Sequence, residues 1–587
     1  MKSLIPLGLL IWGVAPWINA QTYSDYLGAG HDFGITVTTS HQENAGEAGT
    51  KSIDGFPISD PDLLADASRF LAQATLGYDY ETIQMVAAMG YEAWLDEQMG
   101  IPAAPTTPIG YYLEERMGGE SELYGMFNFR ASWLNQVLRS PDLLRQRMNY
   151  VLSQIFVVSA FGSDLFEDYT LLSSAYYDLL GQHAFGNYRN LLAGVSQNIS
   201  MGLYLSHLNN PKSDPANNIH PDENYAREVM QLFSIGLYEL NNNGTRRLDA
   251  DGNFIATYNN ADIREFAKIF TGFGNGDPNG SFGNFEEEIT EDAVRFPMRM
   301  YDEWHEPGEK YLLNGMVVPA GQTGLEDFEM AMDNLHQHPN VGPFLAKALI
   351  QFYVTANPSP AYVNRVANAF NNSQGERGNL GAVLKAVLLD PEARDCAAVA
   401  NPTHGKLREP IVRYMHFLRA FHAENEDRLF LEPLFTWGDN VGQIPMYSPS
   451  VFNFYQPEFQ PNGPIAEQDL VAPVFQIHNS STAIGYINMV NAWTFGGTPM
   501  IDISDDIAEE GNQLNLEVSL DLDDETDLIM DPVELVGRLN ILLAAGQLSP
   551  TTQETITTAL QGITDEEDRL NLAIYLVLIS PDFAILK

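Results

Sequence analysis

The sequence predicts a mainly α fold, a multi-helix globular bundle with a few short β-hairpins. Apolar residues return at helical spacing in stretch after stretch, among them Leu63 to Leu76, Leu144 to Val158, Val341 to Val354 and Ile411 to Phe421. A small polar or acidic residue followed by proline opens many of these stretches, as in Asp60-Pro61, Ser140-Pro141, Asp390-Pro391, Ser549-Pro550 and Ser580-Pro581. The side-chain oxygen takes up free backbone N–H groups, and proline at the first helical position forfeits no hydrogen bond. Strand signals are confined to two places: Thr245 to Tyr258 around Asp251-Gly252, and Tyr311 to Val318 around Asn314-Gly315.

Residues 1–20 have the layout of a secretory signal peptide. Lys2 precedes an apolar run from Leu4 to Trp17, and Ala20 offers a small residue for cleavage. The run is shorter than the roughly 20 residues a membrane span needs and holds Pro6, Gly8 and Pro16. No later run is long enough, so no span is expected after signal removal. Residues 21–58, rich in Gly, Thr and Ser, read as an extended arm, and 59–500 as the main helical domain.

Residues 501–531 form an acidic insertion holding Asp521, Asp523, Asp524, Glu525 and Asp527. Lacking EF-hand spacing, it reads as a solvated loop, with a calcium ion as the alternative; no other cofactor is expected. Residues 532–587 then give three short-looped helices packed on the main domain. Asp531-Pro532 and Ser549-Pro550 open the first two, and Thr564 with Glu567 gives a capping box for the third.

Of 587 residues, 31 are Lys or Arg and 77 are Asp or Glu, a net charge of −46. The charged fraction of 18% is below the roughly 25% of ordinary soluble domains, so the acidity reflects a shortage of bases. Such a surface repels phosphate backbones and anionic lipid and favours neutral or cationic ligands. The hydrophobic share of 45% excludes wholesale disorder. Cys396, the single cysteine, excludes disulfides within the chain and thiolate metal clusters, and reads as a buried structural thiol.

The nucleophile elbow, the zinc-protease helix and the phosphate-binding loop are all absent. Gly272 to Gly280 is glycine-rich but follows a helix, which argues for a mobile loop. The segment from His220 to Glu228 is the densest in polar function. A helix running from Asn224 to Leu240 places Tyr225, Val229 and Leu232 on an apolar arc with Glu228 at its edge. Glu223 and Arg227 lie one turn apart, as do Asn224 and Glu228, giving an ion pair beside an amide-to-carboxylate contact. A half-buried carboxyl tends to hold its proton, as a general acid must; the structural alternative is a Glu228 satisfied by arginine or backbone N–H groups.

The candidate catalytic residues are therefore Glu228, Glu223 and His305. The candidate substrate-binding residues are Asn224, Tyr225, Arg227, Arg264, Glu265, Lys310, Trp437 and Gln443. Asp302, Glu303, His305 and Glu306 are suitable donor types for a hard metal, but a shared loop does not make a coordination sphere, and no metal site is assigned. His338-Pro339 reads as a junction between helices. Trp437 and the stretch from Gly442 to Tyr455 form an aromatic, proline-interrupted loop of the kind that can stack on a sugar.

Taken in order, Arg69-Phe-Leu-Ala-Gln-Ala-Thr-Leu-Gly77, Arg145 to Met148 with Leu152 to Phe156, Glu223 to Glu228, Asp262-Ile-Arg-Glu265 with Thr271-Gly272, His305 to Lys310, and Gly442-Gln443 resemble an exported bacterial family, domain of unknown function 1800. The resemblance covers nearly the whole chain after the arm. It implies export, a largely helical fold, and a co-exported partner from a sulfatase-like or phosphatase-like family; it supplies no activity. Many members carry W-H-x-H-F where this chain has Leu152 to Phe156, and H-D-x-G-x-K where it has His305 to Lys310. The first departure removes a metal site built on those histidines. Two functions follow: a non-catalytic envelope or surface protein acting with that partner, or a secreted hydrolase or lyase using carboxylate acid/base chemistry on extracellular polymer. They differ in whether Glu223, Arg227, Glu228, Arg264, Glu265 and His305 line an open pocket or close into a satisfied network.

Overall fold

The computed structural model describes residues 58–106, 126–163, 165–166, 171–283, 293–373, 375–395, 400–425, 430, 438, 440–495 and 518–587. The leader, nearly all of the arm, Cys396, Trp437 and the first part of the acidic insertion lie outside these residues. The architecture is mainly helical, with three two-stranded antiparallel sheets among the described residues.

Several helices open at the caps their sequence provides. Asp60 accepts from Asp62 N at 3.1 Å ahead of Pro61–Ala74. Asp390, Ser549 and Ser580 act in the same way for Pro391–Arg394, Pro550–Gln561 and Pro581–Ala584. Two caps differ from expectation. Asp142, not Ser140, stands at the head of Leu143–Ile155, and its carboxylate accepts from Ser140 Oγ and from Gln146 Nε2 instead of the helix N–H groups. Asp565, not Thr564, caps Glu566–Leu578 by accepting from Asp568 N at 3.1 Å. A charged carboxylate meets the positive end of the helix dipole better than a hydroxyl does.

The helix expected from Asn224 to Leu240 covers only Asn224–Gln231. The apolar spacing continues, but Gly236 adopts φ +70°, and the N–H groups of Ile235 and Gly236 both return to Met230 O, at 2.9 and 3.0 Å. This left-handed glycine closure ends the helix. Asn340 then holds the departing chain, donating to Ile235 O and Tyr238 O at 2.8 Å each. The junction read at His338 is present, between Gly324–Gln337 and Val341–Tyr353.

Beyond that turn, Leu248 bridges Phe254 across Gly252, and a third segment joins the expected hairpin. Arg247 N donates to Glu239 O, Ile255 N to Arg247 O, and Glu239 N to Ile255 O, a closed ring of three backbone bonds. Lys310–Tyr311 pairs with Val317–Val318 around Asn314 (φ +57°) and Gly315 (φ +72°), the conformation a tight hairpin demands. The glycine-rich stretch expected to be a mobile loop is instead anchored. Phe273–Gly274 pairs with Arg299–Met300, and a Cβ on Gly276 would stand 1.9 Å from Pro297 O.

The helices enclose one contiguous apolar cluster that runs from Leu64 to Leu586. Leu143–Ile155 packs on Leu171–His183 and Tyr91–Gly100, and Asn224–Gln231 on Asn260–Ile269. At the C-terminal end Pro532–Leu542, Pro550–Gln561 and Glu566–Leu578 pack on one another; the first also meets Pro61–Ala74 and the last Ser480–Phe495. Ser68 Oγ donates to Ile541 O at 2.6 Å, and Lys406–Leu407 pairs antiparallel with Ile585–Leu586. Among the described residues no helix is long and apolar enough to cross a membrane. In the described part of the acidic stretch, Asp524 and Glu525 both bond the Arg538 guanidinium, which lies 3.5 Å over the Tyr80 ring.

Candidate functional site

The helix Asn224–Gln231 carries five of the candidates, Glu223 standing at its N-cap. Tyr225 faces inward: its hydroxyl bonds Ser196 Oγ at 2.6 Å and its ring stacks on His207 at 3.9 Å. Burial depresses His207 to about 4, so this ring is neutral. Arg227 and Glu223 form the expected pair at 3.5 Å, with about 40% of each side chain exposed, so it contributes little. The expected contact between Asn224 and Glu228 is not made. Asn224 is exposed and its amide donates to Ser206 Oγ at 3.3 Å, because an N-terminal position on the outer face turns it to the preceding loop.

Glu228 is 6% exposed, and its Oε2 is buried without a hydrogen-bond partner. Burial raises its pKa, and the nearby Arg227 charge only partly offsets this. Burial first and then the Glu228 charge push the phenols of Tyr204 and Tyr258 up to about 12. The structure therefore provides a buried carboxyl whose proton affinity is raised and which is coupled electrostatically to two phenols, a feature a proton donor needs.

His305 and Lys310 belong to a second arrangement, centred on Asp327, which sequence reading had not singled out. His305 Nδ1 faces Thr271 O at 2.8 Å and its Nε2 faces Asp327 Oδ2 at 3.1 Å. Lys310 Nζ donates to Asp327 Oδ2 at 2.5 Å, Glu306 O at 2.6 Å and Gly308 O at 3.0 Å, which uses all three ammonium protons. Asp327 Oδ1 accepts from Gln322 Nε2 at 2.8 Å. Burial raises the Asp327 pKa, but bonds from Lys310, Gln322 and His305 outweigh it and hold the carboxyl below its ordinary value. His305, Lys310 and Asp327 are at most 2% exposed.

Neighbouring groups close around this network. Glu265 accepts from Lys268 Nζ at 2.6 Å and Tyr311 N at 3.0 Å, while Arg264 lies on the exposed side of its helix. Of the four clustered metal-donor types, Asp302 is bonded to Gly324 N and Glu306 to Ser213 N. Among the described residues no group of three or more His, Cys, Asp or Glu is placed to hold a metal ion.

Gln443 lies in a third network, around the fully buried Glu409. Glu409 Oε1 accepts from Tyr150 Oη at 3.0 Å, Gln154 Nε2 at 2.9 Å, Gln443 Nε2 at 3.1 Å and Tyr455 Oη at 2.7 Å. Arg147 Nη1 stands 3.6 Å from Glu409 Oε2, and both Arg147 and Lys406 donate to Phe352 O, at 2.7 and 2.6 Å. Burial raises the Glu409 pKa, but the charges of Lys406 and Arg147 and the bonds from Tyr455 and Gln154 hold it below the ordinary carboxylate range. Asn453 locks Gln154 from the loop, donating to Gln154 Oε1 at 2.9 Å.

Gln154 occupies the centre of the Leu152 to Phe156 stretch, flanked by Ser153, which bonds Tyr150 O, and by the buried Ile155. Among the described residues no hydrogen bond links Glu228 to His305, Lys310 or Gln443. The candidates thus divide among three places. Asp327 and Glu409 escaped sequence reading because most of their donors come from other elements of the chain: His305 and Lys310 precede the helix that carries Asp327, and Tyr150, Gln154, Gln443 and Tyr455 belong to segments remote from Glu409.

No curated protein and no solved structure matches the chain. The family model described as "Protein of unknown function (DUF1800)" matches residues 69–585, nearly all of the described fold, and the chain belongs to that family.

Proposed function

We propose that the chain is a non-catalytic exported envelope or surface protein that acts with a co-exported sulfatase-like or phosphatase-like partner. The observation that carries the non-catalytic reading is the closure of the Asp327 network: His305, Lys310 and Asp327 spend their polar atoms on one another and on backbone carbonyls, sealed from solvent. Buried groups so committed hold a fold together and leave nothing free to meet a substrate. The leader-like segment at residues 1–20 and the family resemblance support export and the partner. The test is co-purification of the tagged chain with a sulfatase-like or phosphatase-like protein exported by the same cell, the two expressed together. A stable complex without a change in the partner's turnover is expected; two proteins that elute separately at micromolar concentration overturn the reading.

A second reading is favoured by the unbonded carboxyl of Glu228 beside Tyr204 and Tyr258: a secreted hydrolase or lyase using it as acid/base on extracellular polymer. An assay of the purified chain on polysaccharide and ester panels, with Glu228→Gln alongside, separates the two. Turnover that falls by roughly 10²–10⁴ in the variant establishes the enzyme, and a panel without turnover removes it.

A further inference from the structure

A cleft of about 110 Å³ lies among residues Ala103 to Pro105, the helix Leu143–Ile155 and the helix Leu171–His183. A cavity of about 150 Å³ admits benzene, so this cleft suits a ligand, or the edge of one, of a few non-hydrogen atoms. Its polar lining includes Arg145, Gln146, Asn149 and Asp178.

The two charged groups of the lining are already engaged. Arg145 donates to Gly181 O at 3.0 Å and to Ile101 O at 2.8 Å, with its Nε 3.4 Å from Asp142 Oδ2. Asp178 Oδ1 accepts from Thr106 N at 2.6 Å and from Thr106 Oγ1. An ion entering the cleft gives up its hydration without meeting a charge that lacks a partner, and that loss selects a neutral guest.

The groups left over belong to two amides on one helix face, three residues apart. Gln146 Oε1 and Asn149 Oδ1 are buried without a hydrogen-bond partner, on residues only 3% and 5% exposed. Gln146 cannot turn its amide over, because its Nε2 donates to Asp142 Oδ1 at 2.9 Å and a carboxylate only accepts, so it offers the cleft an acceptor. Among the described residues nothing bonds Asn149 Nδ2 either, and this amide offers one donor and one acceptor whichever way it is turned. Asn149 has its place because residue 181 is glycine: a Cβ there would lie 2.9 Å from Asn149 Nδ2.

Two acceptors and one donor match a pair of neighbouring hydroxyls. Each hydroxyl donates to one amide oxygen, and one of them accepts from Asn149 Nδ2. An ammonium ion has no acceptor for that N–H, and a carboxylate has no proton for the two oxygens. We infer that the cleft is a binding site for a small neutral vicinal diol, the group that a free polyol or the edge of a sugar presents.

The test is saturation-transfer NMR of the full chain with 1,2-propanediol, set beside 1-propanol, propylammonium chloride and acetamide. Saturable transfer to the diol is expected, at an affinity at least about tenfold above each control, which forms fewer of the hydrogen bonds. Methyl glucoside in parallel tells a sugar from a free polyol as the source of the diol. Asn149→Leu, which removes the amide and fills the cleft, is expected to weaken binding at least about tenfold, and Gly181→Ala, whose Cβ crowds Asn149 Nδ2, to weaken it as well. No saturable binding, a control that binds as well as the diol, or undiminished binding in Asn149→Leu overturns the proposal. Should Asn149→Leu fail to fold, Gly181→Ala and the wild-type comparison of the diol with propanol decide it.

Discussion

Lys310 Nζ lies 2.5 Å from Asp327 Oδ2 with both side chains out of contact with water, and this bond ties the short hairpin at Lys310–Tyr311 to the helix Gly324–Gln337. Removing one partner leaves the other charge buried and unpaired. Asp327→Asn is therefore expected to destabilise the fold by roughly 3–5 kcal/mol. The double variant Lys310→Met, Asp327→Leu should recover most of that loss, because it removes both desolvated charges. Urea melts of the three proteins check the pair; a double variant no better than the single would show that the aspartate's bonds to Gln322 and His305 dominate.

Lys406 predicts a pH dependence. Burial lowers its pKa from 10.5 to about 7, against the attraction of Glu409. Between those values the unfolded chain binds a proton that the folded chain lacks, so the contribution is largest above the unfolded value and is lost as pH falls towards 7. Stability relative to Lys406→Met should rise from pH 7.5 to pH 10. Denaturant melts across that range test it, and parallel curves for the two proteins would contradict it.

Glu228 has the opposite sign. Its folded pKa is raised above 4.5, so wild-type stability falls as pH climbs through the raised value, where the folded carboxyl must ionise without a partner. Glu228→Gln should be more stable than wild type by roughly 1 kcal/mol at pH 8 and equal to it near pH 4. Thermal melts at the two pH values measure the gap, and a less stable variant at pH 8 would mean that the carboxylate is bonded.

The last cap gives a local test. Asp565→Ala should cost about 1 kcal/mol by removing the acceptor for Asp568 N, whereas Thr564→Ala should change stability by only a few tenths. Chemical denaturation of the two single variants distinguishes them; equal losses would return the cap to Thr564.

Features set by near neighbours were legible in the sequence: the caps at Asp60, Asp390 and Ser549, the Asn314-Gly315 turn, and the helical periodicity. Each is decided within a few residues. The length of the helix after Asn224 was not legible, because Ile235 and Leu237 continue its apolar spacing while Gly236 ends it by taking a left-handed turn. The site was legible in residue type and not in partnership. His305 and Lys310 stood out as polar residues in one loop, yet the aspartate that joins them is on the following helix, and the carboxylate that holds Gln443 begins a helix elsewhere. Periodicity carries no information about contacts of that range.

The pairing of Lys406–Leu407 with Ile585–Leu586 sets a constraint on the order of assembly. That strand leads directly into Glu409, so the buried Glu409 network neighbours a ladder whose second half is synthesised roughly 180 residues later, and closing so long a loop is slow. A nascent chain halted before residue 585 has Tyr150, Gln154 and Tyr455 available but lacks the edge that fixes the segment presenting their acceptor. The late arrival of that edge predicts that the polar centre completes late in folding, once Ile585–Leu586 has paired with Lys406–Leu407.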